Sequence, residues 1–429
     1  MEHSTTELIA RLVLQLGVIL VAAKAFGEAC ERWLRQPAVL GELAAGMLLG
    51  PFALGALQLP GIGALFPRPE AAGAGAIPVS LELFAIAQIG AVVLLFLAGL
   101  ETDLGMFLRY AWPATVVATG GAVASFAVGI GVTLLWGLDD SWMGAEALFI
   151  GTIFVATSVG ITARVLSDIK KLDTPEGVTI LGAAVVDDVI GIIVLTVVIA
   201  LTRAGAITPW EVVAIVLKAV GFWLALVAVG ILAGGRLSRG LRAFRTEGAT
   251  LSVALGLCFL VAALAEIGAG LAMIIGAYAM GLALSRTEIA RYLADRLAPV
   301  YHVLVPVFFA VMGMLVNFRA TAALPAFAVV ATLLAFASKI FGCGLPSYAV
   351  GFNTRGAWRI GLGMLPRGEV ALIVAGMGIA TGAIGADIYG VAVLITVATT
   401  LATPIVLVPA FRGPAGTRRA QAAAAAGGR

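Results

Sequence analysis

Apolar stretches follow one another along almost the whole chain, parted by short connections rich in Gly, Pro and charged residues. Hydropathy and turn residues divide it into about thirteen spans: 6–26, 37–57, 79–100, 104–136, 142–166, 175–202, 210–236, 247–267, 270–285, 297–316, 321–345, 351–380 and 387–411. A helix needs about 20 apolar residues to cross the hydrocarbon of a bilayer. The pattern therefore predicts an all-α polytopic membrane protein with about 13 transmembrane helices and little else. The longest connection between spans on the outer side is Pro51–Pro78.

Composition excludes a soluble domain, because hydrophobic residues make up 61% of the 429 and charged residues only 12%. Gly46 and Gly50, in a Gly-x-x-x-Gly spacing, fit close packing of membrane helices. Lys and Arg in the connections fall mostly on the side reached after odd-numbered spans, which makes that side cytoplasmic. The N-terminus is then outside and the C-terminus inside a cell (inner) membrane, and the first apolar stretch reads as a retained helix rather than a signal peptide. The net charge of +3 implies no nucleic-acid partner, since the basic residues are dispersed among loops. Cys30, Cys258 and Cys343 are too far apart for a Cys-x-x-Cys site, and His3 and His302 are too few for a zinc or haem centre, so no cofactor is expected. Residues 412–429, ending AQAAAAAGGR, read as a disordered cytoplasmic tail.

Thirteen spans group as six, one and six. A single linking helix turns the second unit upside down relative to the first, giving two inverted six-helix repeats. Span five then pairs with span twelve, and span six with span thirteen. Both five and twelve carry irregular signals: Thr157-Ser158-Val159-Gly160-Ile161-Thr162 in one, and Gly361-x-Gly363 followed by Pro366-Arg367-Gly368-Glu369 in the other. Proline removes a helical donor and glycine loosens the chain, so two discontinuous crossing helices are expected. Such breaks expose free amides, carbonyls and opposed dipole ends, from which an ion site near the midplane can be built.

The run 181–195 contains Asp187 and Asp188 side by side. At mid-bilayer each ionised carboxylate costs about 2.5–3.5 kcal/mol on insertion scales, so the pair must be solvated, paired or used. Lys339, in AFASKIFGCG, lies too deep in span eleven to snorkel and is predicted to pair with Asp187. One lysine cannot neutralise two carboxylates, and the second needs a proton or a metal ion. Neighbouring helical positions point about 100° apart, so one aspartate can face a packed partner while the other faces a water-filled cavity. Arg367 and Glu369, two apart and on different faces, suit compensation of the dipole ends at the break. Snorkelling accounts for Lys24 and Lys218, and helix-end contacts suffice for Glu42, Glu82, Glu101 and Glu266.

Taken in order, Val39-Leu40-Gly41-Glu42 through Gly50-Pro51, Phe96-Leu97-Ala98-Gly99-Leu100-Glu101, Ala156 to Thr162, Asp187-Asp188, Pro306-Val307-Phe308-Phe309 with Gly313, Lys339, and Arg367-Gly368-Glu369 resemble the sodium/proton exchanger superfamily. The likeness is to the second branch of monovalent cation:proton antiporters. Asp-Asp with Lys339 resembles the electrogenic members, where electroneutral relatives carry Asn-Asp and potassium-efflux relatives Gln-Asp. The resemblance implies a homodimer with scaffold helices in 1–100 and 237–318, core ion-transport helices in 101–203 and 319–411, a linker helix in 204–236, and an elevator-like movement. It also implies that Asp188 binds the ion and the proton, that Asp187 is the partner of Lys339, and that Thr157 and Ser158 line the site. A nucleotide-binding C-terminal domain like that of the potassium-efflux relatives is absent from the 429 residues.

Competition gives the expected mechanism. A carboxylate that holds either protons or an alkali cation (Na+, Li+ or K+) couples two opposed gradients when only the loaded form crosses. Sodium suits a compact oxygen-lined site, and electrogenic Na+/H+ antiport is the expected activity, with K+/H+ antiport as an alternative. A sodium-coupled organic solute symporter would need a roomy polar cavity. A channel would need acidic rings or a carbonyl filter, and an enzyme a dyad facing across two elements; neither pattern is visible.

Overall fold

The computed structural model describes residues 5–418 apart from 35, 60–62, 68–77, 205–208, 245, 247, 270, 317–323 and 415, so part of the Pro51–Pro78 connection lies outside the described residues. Nearly all of it is helix. In chain order these are α1 (Thr5–Ala29), α2 (Ala38–Leu49), α3 (Leu81–Glu101), α4 (Leu104–Leu135), α5 (Ala145–Val155), α6 (Val159–Asp168), α7 (Pro175–Ala204), α8 (Pro209–Arg242), α9 (Ala249–Leu264), α10 (Met273–Leu284), α11 (Ala290–Met314), α12 (Pro325–Ala349), α13 (Thr354–Gly363), α14 (Glu369–Ala380) and α15 (Ala386–Ala410). Among the described residues ten helical stretches are long and apolar enough to cross a membrane, with Ala145–Asp168 counted as one, and a bent pair in α8 makes an eleventh. Expected spans 270–285 and 351–380 hold shorter apolar helices, Met273–Leu284 and Val370–Ile379.

Polar side chains at helix entries set several boundaries. Ser80 Oγ accepts the amide of Leu83 at 3.3 Å to start α3, and Asp103 Oδ1 accepts that of Met106 at 2.8 Å to start α4. Glu266 caps the Met273 amide of α10 at 3.2 Å, in line with the helix-end role expected of it. On the connection after α2, two short strands, β1 (Gln58–Leu59) and β2 (Gly63–Ala64), pair antiparallel. Arg11 and Gln15 of α1 hold this hairpin by donating to the carbonyls of Ala64 and, at 2.7 Å, Leu65.

α3 is buried along most of its length between α10 and α11. Gly99 and Gly281 allow the closest approach of α3 to α10, because a Cβ at either would run into the other helix's backbone. Contacts recur in matched pairs: α2 on α11 and α10 on α3, α1 on α2 and α9 on α10, α4 on α7 and α12 on α15, α4 on α5 and α12 on α13. One apolar cluster gathers around α3, α10 and α11, and a second around α5, α12, α14 and α15.

The C-terminal segment corrects one expectation. Residues 412–418, expected to be disordered, lie against the membrane bundle where described. Asn353 donates its amide to Gly416 O at 2.9 Å, Arg418 donates to Gly351 O at 3.1 Å, and Gly416 donates to Glu176 Oε1 at 2.7 Å. Residues 419–429 lie outside the described residues.

Candidate functional site

The two expected breaks are present and cross each other. α5 ends at Val155 and α6 begins at Val159, while α13 ends at Gly363 and α14 begins at Glu369. At the crossing Ser158 donates its amide to Pro366 O at 2.7 Å, and Thr162 Oγ1 donates to Gly363 O at 2.6 Å. Each break thereby satisfies backbone groups that the other leaves open, which is what non-helical backbone needs at membrane depth. Arg367 is fully buried beside the crossing. Its Nη2 donates to Phe154 O in the last turn of α5 at 2.8 Å and to Ala335 O of α12 at 3.3 Å, its carbonyl accepts Thr400 Oγ1 at 2.5 Å, and its amide is held by Thr399 Oγ1 at 3.2 Å. A cation on the carbonyl end of α5 opposes the negative end of that half-helix dipole. Glu369 opens α14 at its positive end; its side chain, like that of Lys218, lies outside the described residues.

The crossing leaves little space. A Cβ on Gly368 would stand 2.7 Å from Ser158 Oγ and 2.9 Å from Ser158 Cβ. Gly368→Ala is therefore expected to push the two breaks apart and cost about 1–3 kcal/mol, as overpacking does. The drop should be measurable in thermal unfolding of the purified protein, and Ser158→Gly in the same chain should recover most of it. An unchanged midpoint for Gly368→Ala would mean that the crossing is looser than these distances imply.

α7, which carries both aspartates, packs on α5, α6 and α13 and so runs alongside the crossing. Asp187 is 1% exposed and Asp188 6%. The predicted ion pair is present: Lys339 Nζ lies 3.0 and 3.1 Å from the two carboxylate oxygens of Asp187 and is itself fully buried. α12 is brought there by its packing on α4, where Ser125 and Ser338 hydroxyls meet at 3.2 Å. Asp188 follows Asp187 on the same helix and is turned from it by one residue step. Thr157 and Ser158 are buried in the break, and their hydroxyl oxygens make no hydrogen bond among the described residues. Buried hydroxyls left over in this way are available to a ligand.

Two further buried charge groups went unread in the sequence. Glu42, expected to be a helix-end residue, is fully buried inside α2. Lys24 Nζ stands 3.5 Å and Arg164 Nη2 3.8 Å from its carboxylate, Arg164 also pairs with Asp168 at 3.1 Å, and the Tyr301 ring lies against Arg164. This group joins α1, α2 and α11 to α6. The second is Glu176 of α7 with Arg359 of α13 at 2.6 Å, to which Ala410 O and the Gly416 amide add hydrogen bonds. Arg164 and Arg359 lie inside the two interrupted spans, and an intramembrane arginine demands a partner. That was the available signal; the partner's identity was not available.

Crossed, interrupted helices beside a buried Asp-Asp-Lys group define a polytopic membrane protein whose irregular backbone is concentrated at one point. Known proteins narrow the class. The family described as sodium/hydrogen exchanger, transmembrane, matches residues 18–413, and the chain belongs to it. It is 33% identical over 394 residues to the Na(+)/H(+)-K(+) antiporter GerN of Bacillus cereus, covering 92% of this chain and 94% of that one. It is 34% identical over 427 residues to the high-affinity Na(+)/H(+) antiporter NhaS3 of Synechocystis, covering 94% and 91%. The fold is similar to that of the sodium proton antiporter MjNhaP1 from Methanocaldococcus jannaschii, with a TM-score of 0.67 at 17% identity over 95% of this chain and 99% of that one.

Proposed function

We propose that this protein exchanges an alkali cation, sodium foremost, for protons across the membrane, with Asp188 as the carboxylate that holds either. The buried pair of Lys339 and Asp187 carries this reading, because it fixes the dyad beside the crossed breaks, where Asp188, a second buried carboxylate one residue on, can take up a proton or a cation. Thr157 and Ser158 add neutral oxygen ligands of the kind a hard monovalent cation prefers. Their hydroxyls need no deprotonation to bind, so cation and proton compete at the carboxylate alone. Relatives named as Na+/H+ and Na+/H+-K+ antiporters support the substrate class.

The matched helix contacts support two inverted six-helix repeats joined by α8, with α8 and the short α10 and α13–α14 bringing the crossings to thirteen. On this plan α4–α7 and α12–α15 form the moving core, and α1–α3 and α9–α11 the scaffold of a homodimer. The core shifts like an elevator, the N-terminus faces outside and the C-terminus the cytoplasm.

Movement of more than one proton per cation makes exchange electrogenic. In proteoliposomes, sodium added outside should alkalinise the lumen as protons leave in exchange, and an inside-negative potential, which opposes the net outward movement of positive charge, should slow the rate. A rate indifferent to potential would assign electroneutral exchange. Absence of any ΔpH response to sodium, lithium or potassium would overturn the antiport reading altogether.

A further inference from the structure

We propose that an anionic phospholipid occupies a two-part cleft between α8 and α10, with its phosphate held by Arg239, Arg242 and Arg286 and an acyl chain laid in an adjoining apolar slot. Two cavities make up the cleft. The first, of about 680 Å³, is lined by those three arginines together with Ser238, Thr287 and Glu288. The second, of about 160 Å³, is walled by Leu226, Val229, Leu237, Leu257, Val261 and Met280. They abut, because Gly230, Gly234 and Ala283 line both. At that seam the helices touch: a Cβ on Gly230 would lie 2.7 Å from Ala283 Cβ, and one on Gly234 would run into Ala283 O.

The charge inventory of the mouth favours an anion. Arg239 and Arg242 are three apart and share one face of the last turns of α8, while Arg286 follows the end of α10. Arg242 is paired with Glu288, and Asp103, which stands near Arg286, uses Oδ1 to cap the Met106 amide. Among the described residues the Arg286 guanidinium makes no hydrogen bond, and Arg239 reaches only Gly235 O, at 3.4 Å. Two guanidinium forks are thus free to grip phosphate oxygens, a geometry suited to bidentate binding.

The apolar slot selects among phosphate-bearing ligands. A soluble phosphate or nucleotide has no use for a channel of Leu, Val and Met, whereas a phospholipid has a chain to fill it. The arginine end of α8 is also the cytoplasmic end by the positive-inside rule, where anionic headgroups concentrate. Because α8 packs on α7 at one side and on α9 and α10 at the other, such a lipid would brace the helix that joins the two halves.

The test uses the full chain, delipidated in detergent, with the midpoint of thermal unfolding as readout. Phosphatidylglycerol is expected to raise the midpoint saturably, and phosphatidylcholine and glycerol 3-phosphate are expected not to. Arg239→Gln with Arg286→Gln should weaken half-saturation by phosphatidylglycerol roughly thirty-fold, the loss that two interfacial arginines imply. Both side chains are exposed, so the fold is not at stake. Val229→Trp, at a position 59% exposed on the slot wall, should weaken lipid binding while leaving the arginines in place. An equal shift from glycerol 3-phosphate would assign a soluble phosphate site instead. No shift with phosphatidylglycerol, or the same half-saturation in the arginine variant, would overturn the site.

Discussion

Asp188→Asn is expected to reduce cation-dependent proton exchange to the level of protein-free vesicles while leaving the protein folded. Asparagine keeps the shape and size of the side chain, so packing along α7 survives, but it can neither bind a proton in this pH range nor neutralise a cation. A binding readout separates this from a general defect. A cation that binds only the folded protein stabilises it by mass action, by about 2.7 kcal/mol at a hundred times its dissociation constant. Sodium should therefore raise the unfolding midpoint of the unmodified protein and leave that of Asp188→Asn where it was. If the variant still acidifies or alkalinises vesicles in response to sodium, the carrier of the ion is another residue, and the neutral oxygens of Thr157 and Ser158 would have to work with Asp187 instead.

The second large effect concerns the lysine. Lys339 and Asp187 are both nearly inaccessible, and a pair in such a place is held by mutual attraction against a high desolvation cost. Lys339→Met removes the attraction and leaves the carboxylate buried, a change expected to cost about 3–5 kcal/mol. Asp187→Asn together with Lys339→Met removes both charges and should be far less destabilising than the sum of the single changes. That non-additivity, read from a double-mutant cycle on unfolding, isolates the pair from ordinary packing losses. Additive costs would mean that the two groups do not depend on each other. The same double variant speaks to charge movement: if Lys339 gives up a proton during the cycle, exchange by the double variant should lose its response to membrane potential.

The main features of the site were legible because they violate the rules of an apolar helix. Asp187, Asp188 and Lys339 are each too costly in hydrocarbon to be incidental; simple charge counting predicted that the lysine would take one aspartate only, and the family resemblance implied that this one is Asp187. The breaks announced themselves through Pro366, Gly368 and the Thr157-Ser158 step, since helix interiors disfavour such residues. Glu42 shows where this reasoning stops. By position alone it looked like a helix-end residue, and only the approach of α6 to α2 shows it to be sealed in with Arg164 and within reach of Lys24. The ordered stretch beyond Phe411 was hidden for a related reason, because its composition is that of a tail and its hydrogen bonds go to Gly351, Asn353 and Glu176, far away in the chain.

Hydropathy, punctuation and isolated charges determined by themselves that the chain is a bundle of membrane helices, where two of its crossings are interrupted, and which side chains demand compensation. Each of these is a local property, since the bilayer taxes every residue at its own depth whatever surrounds it. Only the tertiary structure decided that the two interruptions cross at Ser158 and Pro366, that Arg367 closes the end of α5, that Glu176 answers Arg359, and that α8 and α10 leave a basic mouth above an apolar slot. Those pairings join residues scores to hundreds of positions apart. They follow from how small residues let particular helices approach, and no local pattern along the chain encodes which helix that will be.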